Sequence, residues 1–191
     1  MRKIVFDIET KNIFMDVGKN DPALLDISIV CIHDSETDSY DSFFEADFPR
    51  LWKILEKADL LIGYNSDHFD IPCLNKYYPG DLTRIKSLDI LKEIRAGYGR
   101  RMSLDQVAEG TLGTKKIGHG LQAIRWWKEG DLDSLRKYCL EDVRITKEIY
   151  DYARKNNKLY FREGGVNNEI KLDASKWETA EKSALTYTLP F

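Results

Sequence analysis

The run Ile4-Val5-Phe6-Asp7-Ile8-Glu9-Thr10 decides how the rest of the chain is read. Its apolar, β-branched and aromatic residues predict a β-strand over residues 3–8. Residues two apart in a strand project from the same side, so Asp7 and Glu9 share one face of an otherwise apolar element. Holding two carboxylates together there costs on the order of several kcal/mol unless cations compensate them. The strand therefore points to a divalent-metal site.

Further acids fall in two distinct contexts. Asp70 closes Gly63-Tyr64-Asn65-Ser66-Asp67-His68-Phe69-Asp70, and Asp142 closes Tyr138-Cys139-Leu140-Glu141-Asp142. Tyr138 and Asp142 are four apart on a helical pattern, which sets a phenol and a carboxylate on one face. Taken singly, each context has an ordinary explanation. Strand-end acids form salt bridges, a carboxylate opening a helix suits the macrodipole, and Tyr-x-x-x-Asp is common. Their conjunction is what carries information.

The chain has 191 residues and a formal net charge of −3. That length suits one domain with a complete core. No apolar run approaches the roughly 20 residues of a membrane helix. Met1-Arg2-Lys3 leads directly into the first strand, too short a lead for a signal peptide. Cys31, Cys73 and Cys139 are widely spaced in apolar contexts, as expected of reduced, buried thiols, so a cytoplasmic location is expected. The slight negative charge argues against electrostatic wrapping of duplex nucleic acid. Between residues 80 and 128, however, ten Lys and Arg face five Asp and Glu. This locally basic stretch either tracks a single strand or is a solvated helical surface.

Along the chain, residues 11–25 read as a loop and Asp26 to His33 and Tyr40 to Phe44 as strands. Phe48 to Ala58 reads as a helix, Leu60 to Tyr64 as a strand, and a helix capped by Ser66 or Asp67 runs to about Tyr77. Leu82 to Leu88 is expected to be a fifth strand. A helical segment around Leu91–Arg95 is expected to break at Gly97-Tyr98-Gly99. Ser103 caps a helix, Thr111 to Gly120 is a loop, and a short helix covers Leu121 to Lys128. Asp131 caps the longest helix, with its apolar stripe on Leu132, Leu135, Cys139, Val143, Thr146, Ile149 and Ala153. Residues 158–173 read as a hairpin around Gly164-Gly165. The expected division is a domain over 1–156, with a hairpin and tail over 157–191 packed on it.

With these three segments in order, the chain resembles the DEDD exonucleases of the RNase H-like superfamily. Their first motif, apolar-Asp-apolar-Glu-Thr, is matched by Phe6 to Thr10. Their second, in the form found in family B DNA polymerase proofreading domains, is matched by Gly63-Tyr64-Asn65 and Phe69-Asp70-Ile71-Pro72-Cys73-Leu74. Their third, in the tyrosine subclass, is matched by Tyr138 to Asp142. The histidine subclass needs a His where this chain has Lys137.

The resemblance implies an α/β fold, an RNase H-like mixed five-stranded sheet with its second strand antiparallel and helices on both faces. It implies a metal-dependent 3′→5′ exonuclease hydrolysing terminal phosphodiesters of single-stranded DNA or RNA, with DNA favoured, and releasing nucleoside monophosphates. Two Mg²⁺ or Mn²⁺ ions about 3.5–4 Å apart would clamp the attacking and leaving oxygens. By the same likeness, Asp7 bridges both ions, Glu9 and Asp142 hold the water-activating one, and Asp70 holds the one near the leaving 3′ oxygen. Tyr138, with an unperturbed pKa near 10, orients water rather than acting as base.

Thr10, Ile13, Phe14, Asn65 and Phe69 would meet the terminal nucleotide, although Asn65 also suits a turn. Trp126 and Trp127 either stack on bases or pack. His68 is read as structural or as a phosphate neighbour, His33 carries no signal, and His119 is expected in an exposed loop of the kind that can touch substrate. Thr188-Leu189-Pro190-Phe191 has a faint likeness to clamp-docking peptides but lacks their Gln, so no polymerase or clamp partner is inferred. The rival expectations are a non-catalytic nucleic-acid-binding module, an RNase H-like endonuclease and a purely structural domain.

Overall fold

The structure, a computed structural model, describes residues 1–114 and 120–179. Lys115, Lys116, His119 and the terminal Thr188–Phe191 motif lie outside the described residues.

In chain order the elements are β1 (Lys3–Thr10), α1 (Phe14–Val17), β2 (Ile27–Asp34), β3 (Ser39–Phe43), α2 (Phe48–Leu55), β4 (Leu60–Gly63), α3 (Asp70–Asn75) and β5 (Ser87–Asp89). They continue with α4 (Ile90–Tyr98), α5 (Leu104–Leu112), α6 (Gly120–Glu129), α7 (Leu132–Asn156), β6 (Lys158–Glu163) and β7 (Val166–Lys171). The main sheet has the order β3-β2-β1-β4-β5. β2 runs antiparallel to β1 and β3, while β4 is parallel to both β1 and β5. This is the expected mixed sheet with its second strand reversed, and β6–β7 form the expected C-terminal hairpin.

The period of two along β1 sorts the core. Ile4, Phe6 and Ile8 face α2 and α3, packing with Leu51, Leu55, Ile71 and Leu74. Val5 faces the other way, with Ile29 and Cys31 of β2, toward Tyr138, Cys139 and Val143 of α7. Asp7 and Glu9 lie in register with Cys31 and Ile29 and so share that second face. Asp131 accepts a hydrogen bond from the Ser134 amide (3.1 Å) and starts α7, as the sequence predicts. The 25-residue α7 then lies across β1 and β2. Leu159, Phe161 and Ile170 of the hairpin join the same core cluster.

Several expectations need correction. The stretch 11–25 is not wholly loop, because it contains α1 and a 3₁₀ turn over Pro22–Leu24. Of the expected Leu82–Leu88 strand only Ser87 and Leu88 pair with β4, joined by Asp89 beyond it; Leu82–Arg84 form a 3₁₀ turn opened by the Asp81 side chain. Neither Ser66 nor Asp67 caps α3, whose first residue is Asp70 and whose N-cap is Phe69. The expected break at Gly97-Tyr98-Gly99 is present, and its position is Gly99, which adopts φ +88° and ends α4 after Tyr98, while Gly97 stays helical. A lone Gly inside a helix costs only about 1 kcal/mol, whereas a left-handed residue ends it.

One close approach fixes the hairpin. A Cβ placed on Gly110 of α5 would lie 2.5 Å from the Phe161 Cα of β6. The Phe161 atom is backbone and the position of a Cβ is fixed by its own backbone, so neither can rotate aside. Gly110→Ala should therefore lower stability by about 1–3 kcal/mol, measured by chemical denaturation. Wild-type stability in that variant would show that the helix–hairpin contact is looser than the packing implies.

Candidate metal centre

β1 brings Asp7 and Glu9 to the face covered by α7, and α7 brings Asp142 down onto them. Carboxylate oxygens of Asp7, Glu9 and Asp142 lie within 4.8 Å of one another. Glu9 and Asp142 are buried and Asp7 is half-buried. The β1–β2 register shifts between Glu9 and Thr10, leaving Ser28 as an extra residue on β2. Such a bulge re-aims the end of a strand, here at the two acids. Tyr138, one turn before Asp142, is 4% exposed, with its ring centroid 5.7 Å from that of Trp126. Cys139, between them on the helix, donates its thiol to the Asp7 carbonyl oxygen (3.6 Å). Burial, the neighbouring Cys31 and the Asp7 and Glu9 charges push the Cys139 thiol up, so it stays protonated.

Asp70 is not one of the three. It arrives from the opposite side of the sheet, at the start of α3, and its Oδ1 accepts from the Ile8 amide (3.2 Å). The β1–β4 ladder ends at Val5 opposite Ile62. Beyond that point the carboxylate of Asp70 takes up an amide that no β4 residue reaches. It thereby sits against the segment of β1 between Asp7 and Glu9. Burial, with the charges of Asp89 and Asp142 adding to it, pushes Asp70 up to about 7, against the pull of the Ile8 amide.

The turn that delivers Asp70 explains its sequence. A Cβ on Gly63 would lie 2.4 Å from Ser66 Cβ, so only glycine admits the buried Ser66. Asn65 adopts φ +64°, a left-handed conformation that Asn tolerates better than most residues. Tyr64 donates its hydroxyl to the Met102 carbonyl (2.8 Å). The turn is further held by Asp89, which the sequence reading passed over. Asp89 accepts from the amides of Asn65 (2.8 Å), Asp67 (3.2 Å), Leu91 (3.0 Å) and Lys92 (3.3 Å). The available signal was an Asp directly before the apolar Ile90-Leu91, the mark of an N-cap.

The remaining expected residues are distributed around this centre. Thr10 is buried and donates its hydroxyl to the Asn12 carbonyl (2.9 Å). Ile13 is the N-cap of α1, and Phe14 meets Phe69 edge to face at 6.2 Å. Asn65 accepts from Arg101 (2.8 Å). Both Trp126 and Trp127 are half-buried, and the Lys11 ammonium lies 5.1 Å from the Trp127 ring centroid. A cavity of about 250 Å³ beside Tyr138 is lined by Trp126, Ser134, Lys137 and Glu141. His33 is buried and pairs with Asp38 (3.0 Å), away from the acids, while His68 is exposed.

The donor set is chemically suited to a hard divalent cation. All three groups are carboxylates, which favour Mg²⁺ or Mn²⁺ over softer metals. Ligands on one octahedral Mg²⁺ lie at most about 4.2 Å apart, twice the metal–oxygen distance. The three oxygens, within 4.8 Å of one another, stand close to that range.

The fold and the acids together define the class. Residues 4–154 match the family model of the RNase H superfamily. The chain belongs to that superfamily, whose members are generally hydrolytic nucleases. Among solved structures it is similar to the family B DNA polymerase of the hyperthermophilic archaeon Pyrobaculum calidifontis, with a TM-score of 0.61 and 21% identity. The match covers 80% of this chain but only 24% of that polymerase. No curated protein sequence matches the chain. Among the described residues, no helix is long and apolar enough to cross a membrane.

Asp70 makes the metal-free protein sensitive to pH. Its folded pKa, about 7, lies above the ordinary aspartate value of about 3.9. The native state thus holds that proton more tightly than the unfolded chain. The advantage is full below about pH 4 and is lost as pH rises through about 7. Asp70→Asn keeps an acceptor for the Ile8 amide and removes the charge. In chelator, its melting temperature should exceed wild type at pH 8 and match it at pH 4. Equal melting temperatures at both pH values would show that Asp70 is not a buried, destabilising charge.

Proposed function

We propose that this chain is a metal-dependent 3′→5′ exonuclease that removes nucleoside monophosphates from single-stranded nucleic acid. The observation that carries this is the meeting of Asp7, Glu9 and Asp142 within 4.8 Å, from elements over 130 residues apart in sequence, on an RNase H superfamily fold. Asp7, Glu9 and Asp142 would hold one divalent ion, and Asp70, beside β1, would share a second with Asp7. Such ions supply a nucleophile at neutral pH and offset charge on the scissile phosphate.

The protein's own groups do the rest. Carboxylates placed together repel the terminal phosphodiester until cations offset them, so metal is expected to tighten the seating of the 3′-terminal phosphate, while contacts elsewhere along the strand do not need it. Tyr138 stands one helical turn from Asp142 and hydrogen-bonds the attacking water, fixing its direction. The Phe14–Phe69 pair would provide an aromatic wall next to Asp70 for the terminal base, with Thr10 and Ile13, just before Phe14 in the chain, as its further proposed contacts. The cavity beside Tyr138 leaves room for a second base against Trp126. The likeness to a DNA polymerase favours DNA over RNA.

The test uses 3′- and 5′-labelled single strands of DNA and RNA in Mg²⁺, Mn²⁺ and chelator. Wild type should release mononucleotides from the 3′ end only with metal, and should leave a circular single strand whole. Asp7→Asn and Asp142→Asn should lose activity by more than about 10³-fold without losing the fold. Tyr138→Phe should lose about 10²-fold. Cleavage of the circle would make the protein an endonuclease. Binding of a strand without mononucleotide release would make it a non-catalytic module. Full turnover by Asp7→Asn would remove the metal assignment.

A further inference from the structure

A second charged feature lies on the same edge of the sheet, outside the acid centre. Asp89 of β5 pairs with Gly63 of β4, and Ile62 pairs with Val5 of β1. The carboxyl ends of the three parallel strands therefore lie in a row. Two strand spacings, about 10 Å, separate the level of Asp7 from that of Asp89. Beyond β5, at the start of α4, opens a cavity of about 450 Å³ whose lining includes Asn65, Asp67, Asp89, Lys92, Arg95 and Arg101.

Three cations face two carboxylates here, and the carboxylates are committed to the cavity wall. Asp89 receives four backbone amides. Asp67 accepts from the Ser87 hydroxyl (2.6 Å) and from Lys92 (3.1 Å). The arginines are different. Arg95 forms no side-chain ion pair among the described residues, and Arg101 donates only to the neutral amide oxygen of Asn65. Elsewhere in the basic stretch, Arg100 and Arg125 pair with Glu163 and Glu129. Two guanidiniums without a carboxylate partner, in a cavity large enough for a phosphodiester, suit bidentate recognition of its oxygens.

We infer that the Arg95–Arg101 cavity beyond β5 binds an internal phosphate of the nucleic-acid strand whose 3′ end lies at Asp7, Glu9 and Asp142. This rests on the exonuclease reading and adds to it a second, non-reacting contact. The turn from Asn65 to Asp70 links the two places. Arg101 holds the Asn65 side chain, and the same turn ends at the Asp70 carboxylate. A strand seated in the cavity therefore contacts the turn that carries Asp70. Distance from the reacting atoms makes Arg95 and Arg101 positioning residues.

The test is equilibrium binding of a fluorescent single-stranded oligonucleotide in chelator, where turnover cannot occur, at several salt concentrations. Arg95→Ala should weaken binding about tenfold and reduce the slope of log affinity against log salt by about 0.7. Arg101→Ala should do the same, and Arg95→Lys should restore the slope but only part of the affinity. Arg84→Ala, which removes the same charge before the opposite end of β5, should change neither. Wild-type affinity and slope in the Arg95→Ala, Arg101→Ala double variant would overturn the inference, as would wild-type protein that binds no single strand. Mononucleotide release in Mn²⁺ is read separately. Wild type that binds through these arginines yet releases nothing would sink the exonuclease reading and leave the phosphate cavity standing.

Discussion

Bringing like charges together inside a protein is the constraint on which this structure turns. Asp7, Glu9 and Asp142 lie within 4.8 Å of one another, Glu9 and Asp142 in the interior, with Asp70 held against the same strand. In an effective dielectric near 20, each pair of unit charges at about 4 Å repels by about 4 kcal/mol. A domain with a net stability of about 5–15 kcal/mol keeps such a cluster only if the frame around it is rigid. The frame is visible. β1 is flanked on both sides by strands, α7 runs 25 residues across it, and the turn before Asp70 is pinned by Tyr64 and Asp89.

Sheet topology supplies the place where the charges meet. β4 pairs with β1 only as far as Ile62 and, after Gly63, leaves in the turn over 64–69. Its departure opens one amide of β1, at Ile8, and Asp70 fills it. The bulge between Glu9 and Thr10 turns the end of β1 where β2 would otherwise continue the ladder. Polar groups thus collect where two ladders stop, at the carboxyl end of the parallel strands, the edge at which α/β sheets generally bind ligands.

Much of the fold and the acids was legible in one dimension because their signals are local. A period of two placed Asp7 and Glu9 on one face, and a period near four placed Tyr138 beside Asp142. Asp131 and Ser103 announced α7 and α5 as N-caps, and both accept the expected amide. Errors fell where local rules compete. Leu82–Ile85 is apolar enough for a strand, but the Asp81 side chain captures the Thr83 amide and closes a turn instead. Within Gly97-Tyr98-Gly99 the break falls at Gly99, and Gly97 serves instead where α4 passes the Lys171 carbonyl, at a distance no Cβ fits. Asp89 offered a local signal only as the N-cap of α4; its hold on the Asn65 and Asp67 amides, in a separate segment, follows no spacing rule.

Sequence alone determined which residues carry charge and the periodicities that put them on common faces, because those properties follow from backbone geometry over a few residues. Only the tertiary structure decided that three carboxylates rather than four form the tight cluster. It also decided that Asp70 spends one oxygen on the Ile8 amide and that Arg95 and Arg101 open on a cavity while Arg100 and Arg125 close on glutamates. Those outcomes depend on where one strand ends beside another and on which side chain reaches a given amide first. Such distances are set by packing between segments far apart in the chain.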